Sequence, residues 1–385
     1  HSTLRNAVQL ATSGAAIFAA SGSYRNANWG SGSVGNGAAL SLAHVDHVLV
    51  SNLPGHSPRI EFDGSGGISC SNVSRLEVRG FDIQGPGASI AHADALSDRL
   101  LHSNKFSGRG IVVWSGHHVH IHDNVVHHAP NSGIRVNSGD YCTVERNVVF
   151  NCTWWSSNAE SAIVFAEAAH VDTSDAVKMV IRDNEVFGNQ NRIPYFNEAY
   201  SDPTYLAEKQ MHSARPGYGT VNQTFIIDGS GVYITRNSQT YLHGWYLLSG
   251  NTCYHNGLNG VVVHKTHRAI VTHNTISDNG QTPKTPPEDR QPYAGLVLND
   301  AENVTLGNNS VSTADADDFA YMANEGSSFL DGADASLNLV CVGKVDASFG
   351  MILMQMVVLP LTLVWESFNL VDMRCVDDSE RHDGY

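Results

Sequence analysis

A short segment recurs along the chain at a nearly fixed spacing, and this recurrence restricts the fold more than any other property of the sequence. Six stretches open with a small residue followed by an apolar run: Gly110-Ile-Val-Val-Trp, Gly133-Ile-Arg-Val-Asn, Ala162-Ile-Val-Phe-Ala, Gly231-Val-Tyr-Ile-Thr, Gly260-Val-Val-Val-His and Gly295-Leu-Val-Leu-Asn. Each leads to a second run and an Asn: Asn124, Asn147, Asn184, Asn251, Asn274 and Asn308. Gly110 and Gly133, Asn124 and Asn147, and Asn251 and Asn274 are each 23 residues apart. A unit of that length holds two or three short parallel strands with their turns, and stacked units bury a continuous core. Identical residues at one turn then stack into a ladder along the axis. The sequence lacks the 3.6-residue period of a helical array, and a propeller blade needs about twice this repeat.

The expected fold is therefore all-β: a single-stranded right-handed parallel β-helix of about 23 residues per coil, spanning residues 1–325. Within it, residues 1–40 form an N-terminal cap, in which Leu4-Arg-Asn-Ala-Val-Gln-Leu-Ala is an amphipathic helix over the open end of the core. Gly67-Ile-Ser-Cys onward reads as an early coil, and the wider gaps, about 188–225 and 280–291, become loops. Residues 326–385 do not repeat; the apolar run Met351 to Trp365 is only 15 residues long and contains a Pro, which is short for a membrane span. The formal charge of −15 argues against nucleic acid, whose phosphates need a basic face. It also requires that any site for an acidic polymer be locally basic or hold a cation. The six cysteines show no CxxC spacing and read as buried small residues ahead of disulfides. Five glycosylation acceptor patterns, at Asn72, Asn151, Asn222, Asn303 and Asn308, agree with export, so a secreted monomer is expected.

Together with Leu4 to Tyr24, these coils resemble the right-handed parallel β-helix superfamily that includes pectate lyases and the alginate and chondroitin lyases, over about residues 4–320. The resemblance implies a polysaccharide, commonly acidic, bound in a groove along one parallel sheet. The superfamily also contains hydrolases, epimerases and non-enzymatic adhesins. No subfamily signature is present: the NTD, GHG and RIK pattern of polygalacturonases, the DPHD of mannuronan epimerases and the RxPxxR of pectate lyases are all absent. Site residues must therefore come from stacking the coils.

Alternation along each strand makes positions one and three core, from Ile111 and Val113 through Leu296 and Leu298. The outward positions and the turn after them then stack Glu167, Arg236, Lys265 and Asp300 into one ladder, with Tyr233 and His264 beside it. β-Elimination of a uronate needs a base, a cation at the carboxylate and an acid at the leaving oxygen. Lys265, Arg236, His264 and Tyr233 are the catalytic candidates; a ladder of alternating charges that merely solubilises the coil is the alternative. Arg135, Asn137, Arg268, Trp154, Trp155 and Tyr195 are the substrate-binding candidates, the aromatics as a wall on which sugar faces stack or as packing over the solenoid side. Glu160, Glu167 and Asp228 are candidate ligands for Ca²⁺, a hard ion that takes several oxygens. His118, His120 and His122 alternate as zinc ligands do, without an evident fourth. The expected function is β-elimination of a uronate polysaccharide. The alternatives are glycoside hydrolysis, with Glu167 and Asp228 as the carboxylate pair, and a non-catalytic carbohydrate-binding solenoid.

Overall fold

Alternation does decide which side chains go inside. Ile111, Val113, Ile134, Val136, Ile163, Phe165, Val232, Ile234, Val261, Val263, Leu296 and Leu298 are all at most 1% exposed. The computed structural model describes residues 2–26, 37–63, 66–101, 105–158, 160–195, 226–283, 293–313, 319–323, 339–342 and 344–347. Residues 196–225, with Phe196, Tyr200, Tyr205 and Tyr218 of the expected inserted loop, and residues 348–385 of the tail lie outside the described residues.

Each strand pairs in parallel with its equivalent in the next coil, giving a 15-stranded and a 10-stranded sheet. The chain is a right-handed parallel β-helix. Its cross-section has three faces. Face one holds Ile134–Asn137, Ile163–Ala166 and Val232–Thr235, flanked by the first halves of Arg109–His122 and Val261–Thr272. Face two holds the second halves of those long strands with Asp140–Glu145, Val177–Arg182 and Trp245–Ser249. Face three is the 10-stranded sheet.

The corners are made by residues with left-handed backbone. Ser115, Ser138, Glu167, Arg236, Lys265 and Asp300, all with φ between 43° and 57°, stack at the corner that ends face one. Such a conformation costs a non-glycine residue about 1–2 kcal/mol. Cross-coil bonding helps offset this: the Ser138 and Glu167 N–H groups donate to the Ala166 and Thr235 carbonyls at 3.1 and 3.2 Å. At the corner between faces two and three, buried Asn side chains do the same work. The backbone N–H of Asn124 donates to Oδ1 of Asn147 at 3.1 Å, and the relation repeats from Asn147 to Asn184, Asn251, Asn274 and Asn309. The last rung corrects the sequence reading by one residue. Asn308 is the exposed left-handed residue of that corner, with φ 54°, and Asn309 is the buried one. A second ladder joins Asn189, Asn256 and Asn279 at the next corner, so the coil continues past Gly188, where the loop was expected to begin.

Among the described residues two α-helices lie outside the coils. The N-terminal helix, Ser2–Gln9, buries Leu4 and Val8, one turn apart, into the first coil. A second, His92–Leu101, is inserted between coils and was not signalled by the repeat; it buries Ala95 and Arg99. Cys70, Cys142, Cys152 and Cys253 are free and buried, and burial pushes each thiol up to about 12. No helix among the described residues is long and apolar enough to cross a membrane.

Replacing Asn309 by Ala would orphan the buried Asn274 N–H and the Val271 carbonyl. Denaturant unfolding is expected to show a loss of about 2–4 kcal/mol. Asn308→Gly, which keeps the left-handed turn, should change stability by less than about 0.5 kcal/mol.

Candidate functional site

The outward side of face one concentrates polar side chains around a rung of small ones. In Ile163–Ala166 the outward residues are Val164 and Ala166, 2% and 1% exposed. The preceding coil presents Arg135 and Asn137 beside them, and the following coil presents Tyr233 and Thr235. With coils about 4.8 Å apart, Arg135 and Tyr233 face each other across roughly 10 Å.

At the edge where strands enter face one, two buried carboxylates sit in opposed environments. Glu160 accepts hydrogen bonds from Arg135 Nη1 at 2.7 Å, from Arg109 and from the Ser132 hydroxyl. Burial alone would raise its pKa, but the charges of Arg109 and Arg135 with the Ser132 bond overcome this and hold it down to about 2. Asp228 in the next coil accepts from the Ser161 hydroxyl and from the Gly229 N–H, the latter at 2.9 Å. Burial dominates there and, with the neighbouring Glu160 charge, pushes Asp228 up to about 6. One carboxylate is thus a fixed anion and the other titrates near neutrality. Arg135 Nε also donates to Asn137 at 2.9 Å, which locks its guanidinium over the rung.

Toward the opposite edge, Nδ1 of His264 lies 2.8 Å from the Tyr233 hydroxyl and 2.9 Å from that of Thr235. Its Nε2 is buried without a hydrogen-bond partner among the described residues. Burial, and then the charges of Lys265 and Arg236, lower His264 to about 4, so the imidazole is neutral at pH 7. Lys265 and Arg236 occupy adjacent left-handed corner rungs. Arg236 Nε is 3.2 Å from Glu167, whereas Lys265 has no ion pair among the described residues.

The structure therefore brings Tyr233, His264, Lys265 and Arg236 onto adjacent coils and sets Arg135 and Asn137 across the small rung from them. Other sequence-selected residues lie elsewhere. Arg268 is itself the left-handed residue of the next corner, with φ 60°, and is bound to Asp175, two residues before the face-two strand Val177–Arg182. Trp154 and Trp155 do not lie on face one. Trp155 is buried beside Ala95 and Ile193 with its indole N–H on the Gly87 carbonyl at 2.9 Å. Trp154 donates to the Gly188 carbonyl at 2.8 Å and has the Arg192 guanidinium 3.7 Å from its ring centre. Their faces are taken by packing under His92–Leu101, an element the repeat pattern does not reveal. Tyr195 lies on the same side, its carbonyl accepting from Arg99 at 3.0 Å. The supposed Ca²⁺ ligands do not converge: Glu160 and Asp228 stand at one edge of face one and Glu167 at the other. Among the described residues no three His, Cys, Asp or Glu side chains are grouped to hold a metal ion. The histidine run is divided by the corner at His118, which stacks on Tyr141, while His120 and His122 stack on each other at 3.9 Å on face two.

Four contributors were missed. Arg109, Ser132 and Ser161 each stand immediately before the small residue that opens a strand, a position shared with Ser230 and Asn259 that could have been read as one more ladder. Trp114, 40% exposed on face one with the Arg109 guanidinium 5.6 Å from its ring centre, is an accessible aromatic beside Asn137.

The family described as Right handed beta helix region matches residues 12–202 and 218–331. No curated protein matches the sequence. Solved structures similar to it include the A-module of Azotobacter vinelandii mannuronan C-5 epimerase AlgE6, at 17% identity over 90% of this chain and 83% of that one, TM-score 0.47. Others are an alginate lyase from Paenibacillus sp. str. FPU-7, at 11% identity over 90% and 97%, TM-score 0.34, and the Dettilon tailspike protein gp208, at 11% over 81% and 46%, TM-score 0.44. At these values the likeness gives no residue of this chain a role.

Asp228 titrates at about 6 when folded against an ordinary 3.8, so folding disfavours its ionised form and this group's contribution to stability falls as pH rises through that interval. Glu160 acts in the opposite sense, but its contribution is lost only as pH falls below about 4.5 toward 2. Asp228→Asn should remove roughly 2–3 kcal/mol of stability loss between pH 4 and pH 7. Urea unfolding of both proteins at the two pH values measures this difference.

Proposed function

The chain belongs to the right handed beta helix family, and on that premise we propose that it is a carbohydrate-active enzyme cleaving an acidic, uronate-containing polysaccharide by β-elimination along face one. The observation that carries this reading is the contact of the Tyr233 hydroxyl with a neutral His264, at 2.8 Å, beside a lysine with no protein counter-ion among the described residues.

In β-elimination a base removes the proton on the carbon next to the carboxylate. That electron pair becomes the new C=C bond, the bond to the leaving oxygen breaks with its electrons on oxygen, and an acid protonates that oxygen. Tyr233 is assigned the proton transfers: its own proton passes to Nδ1 of His264 as its oxygen takes the substrate proton, it delivers that proton to the leaving oxygen, and His264 then returns its proton to the tyrosine oxygen and ends neutral as it began. Lys265 is assigned to the substrate carboxylate, where a cation opposes the charge that develops on the enolate. Arg236 keeps Glu167 from competing for that place, since their ion pair satisfies the carboxylate. In a chain of net charge −15 these corner cations supply the local attraction that an acidic polymer needs. Secretion is part of the same proposal, since such a polymer is met outside the cell. Ca²⁺ enters as a test condition, since Glu160, Glu167 and Asp228 do not form one oxygen cage.

A second reading, glycoside hydrolysis, is favoured by a different observation. The pair expected from sequence, Glu167 and Asp228, stands at opposite edges of the sheet, but Glu160 and Asp228 are neighbours whose pKa values are driven apart, to about 2 and about 6. That is the pattern of a paired base and acid.

Purified protein assayed on pectate, alginate and chondroitin sulfate, with and without Ca²⁺, is expected to produce the unsaturated-uronate ultraviolet band on at least one. Tyr233→Phe and Lys265→Ala are each expected to lower kcat/KM by about 100-fold or more with the fold intact by circular dichroism. Reducing ends released without the band, and abolished by Asp228→Asn, would replace elimination by hydrolysis. Binding without either product would leave a non-catalytic carbohydrate-binding solenoid.

A further inference from the structure

Where the corner at the end of face one is followed back toward the N-terminus, its rungs lose their charges and open into a cleft of about 410 Å³. Its lining includes the corner residues Asn72, Ser115 and Ser138, with His117 on one side and His170 on a projecting loop. None of its lining residues is Lys, Arg, Asp or Glu. Hydroxyl, amide and imidazole groups lie there beside the small apolar surfaces of Val73, Gly116, Ala169 and Val171. A carboxylate or sulfate would find no lysine or arginine in the cleft. A ring bearing several hydroxyls and an apolar face finds both kinds of partner.

The loop that forms the rim is fastened from below. The Ala169 N–H donates to the Gly139 carbonyl at 3.2 Å and the Val171 N–H to Asp140 Oδ2 at 2.8 Å. Asp140 is fixed in turn by the Tyr241 hydroxyl at 2.6 Å and by the buried ammonium of Lys178 at 3.5 Å, which also holds Asp172 at 2.5 Å. Burying a lysine is costly unless it is paired and hydrogen-bonded. Here the buried cation anchors a loop whose His170 and Val171 are exposed to solvent, so the cleft is held open before any ligand arrives.

We propose that this cleft binds a neutral, hydroxyl-rich sugar unit, so that the protein selects a polymer carrying uncharged units at a set distance from the acidic one. The inference rests on the reading of face one only for what lies at the far end of the chain. Lys265 is three rungs beyond Ser138 on the same corner, about 14 Å at the spacing of parallel coils, a separation a few sugar units can span.

The test uses calorimetric titration of the full chain with cellohexaose, mannohexaose and a neutral β-linked galactohexaose, and with hexagalacturonate as the acidic control. At least one neutral hexasaccharide is expected to bind, and Ala169→Trp, which fills the cleft from its rim, to weaken that binding about tenfold or more. His170→Ala, a smaller change, is expected to weaken it about threefold or more without altering the melting temperature. No binding of any neutral hexasaccharide, or binding indifferent to both variants, would overturn the proposal. Loss of hexagalacturonate affinity alone in Ala169→Trp would overturn it too, by showing that the cleft takes an acidic unit. Elimination by the wild type on acidic polymers is recorded separately. Its presence without neutral-sugar binding would sink this inference and leave the β-elimination reading standing, and the reverse result would do the opposite.

Discussion

At each corner of a parallel coil the backbone turns some of its N–H groups toward an interior that contains no water, and a buried donor without a partner costs about 1–3 kcal/mol. In this chain the Asn side chains answer that demand in series. Each amide oxygen takes the N–H of the coil before it, and each amide nitrogen donates to backbone carbonyls, for Asn251 the Ile181 carbonyl at 2.9 Å. Because the acceptor always comes from the next coil, the corner is complete only when coils are stacked in register. The register of the ladder then sets the register of face one, since the strands on either side cannot slip without leaving an Asn unpaired.

Everything proposed for the site depends on that register. A slip of one residue would turn Tyr233, Thr235 and Arg135 into the core and bring Val232 and Ile234 out. The groups of the site are close because of position in the coil: Glu160 and Asp228 share the entry edge, Arg135 and Tyr233 share the first outward position, and Arg236 and Lys265 share the exit corner. Their electrostatic character follows from the same placement. Asp228 is shielded from water with a single anionic neighbour, whereas Glu160 lies between two guanidinium groups, so identical chemistry is pushed in opposite directions.

The coil, its core pairs and the corner ladder with Tyr233 and His264 were legible in the sequence because each is a one-dimensional property, visible as spacing or alternation. Asn308 was chosen over Asn309 because the segment Gly307-Asn-Asn-Ser offers two candidates and only the corner geometry separates the buried amide from the left-handed one. The sequence leaves Trp154 and Trp155 open between a sugar platform and packing, because the helix His92–Leu101 that supplies the surface they pack on has no counterpart in the other described coils. The role of Glu160 was hidden for a similar reason. Its partners Arg109 and Arg135 lie 51 and 25 residues away, and nothing local in the sequence marks them as its counter-ions. Periodicity shows which residues repeat, and it is silent about those that an insertion or a cross-coil contact brings together.

Most neighbouring coils are joined by short connections: Asn237 and Thr266, which share a hydrogen bond, are 29 residues apart, whereas Ala168 and Asn237, one coil earlier, are separated by 69. Across that long detour the strands still meet in register, Ile163 beside Val232 and Ala166 beside Thr235. Chain entropy explains why the detour is tolerated, since each doubling of a loop costs only about 0.6 kcal/mol to close. This junction is also where the halves of the site meet, Glu160 and Glu167 arriving from one side and Asp228, Tyr233 and Arg236 from the other. During folding these halves must find each other after the shorter connections have closed, so the outward surface of face one assembles late. Over evolutionary time the same seam can accept new sequence at little energetic penalty, which makes it the point where such a solenoid can change the surface of face one while keeping its scaffold.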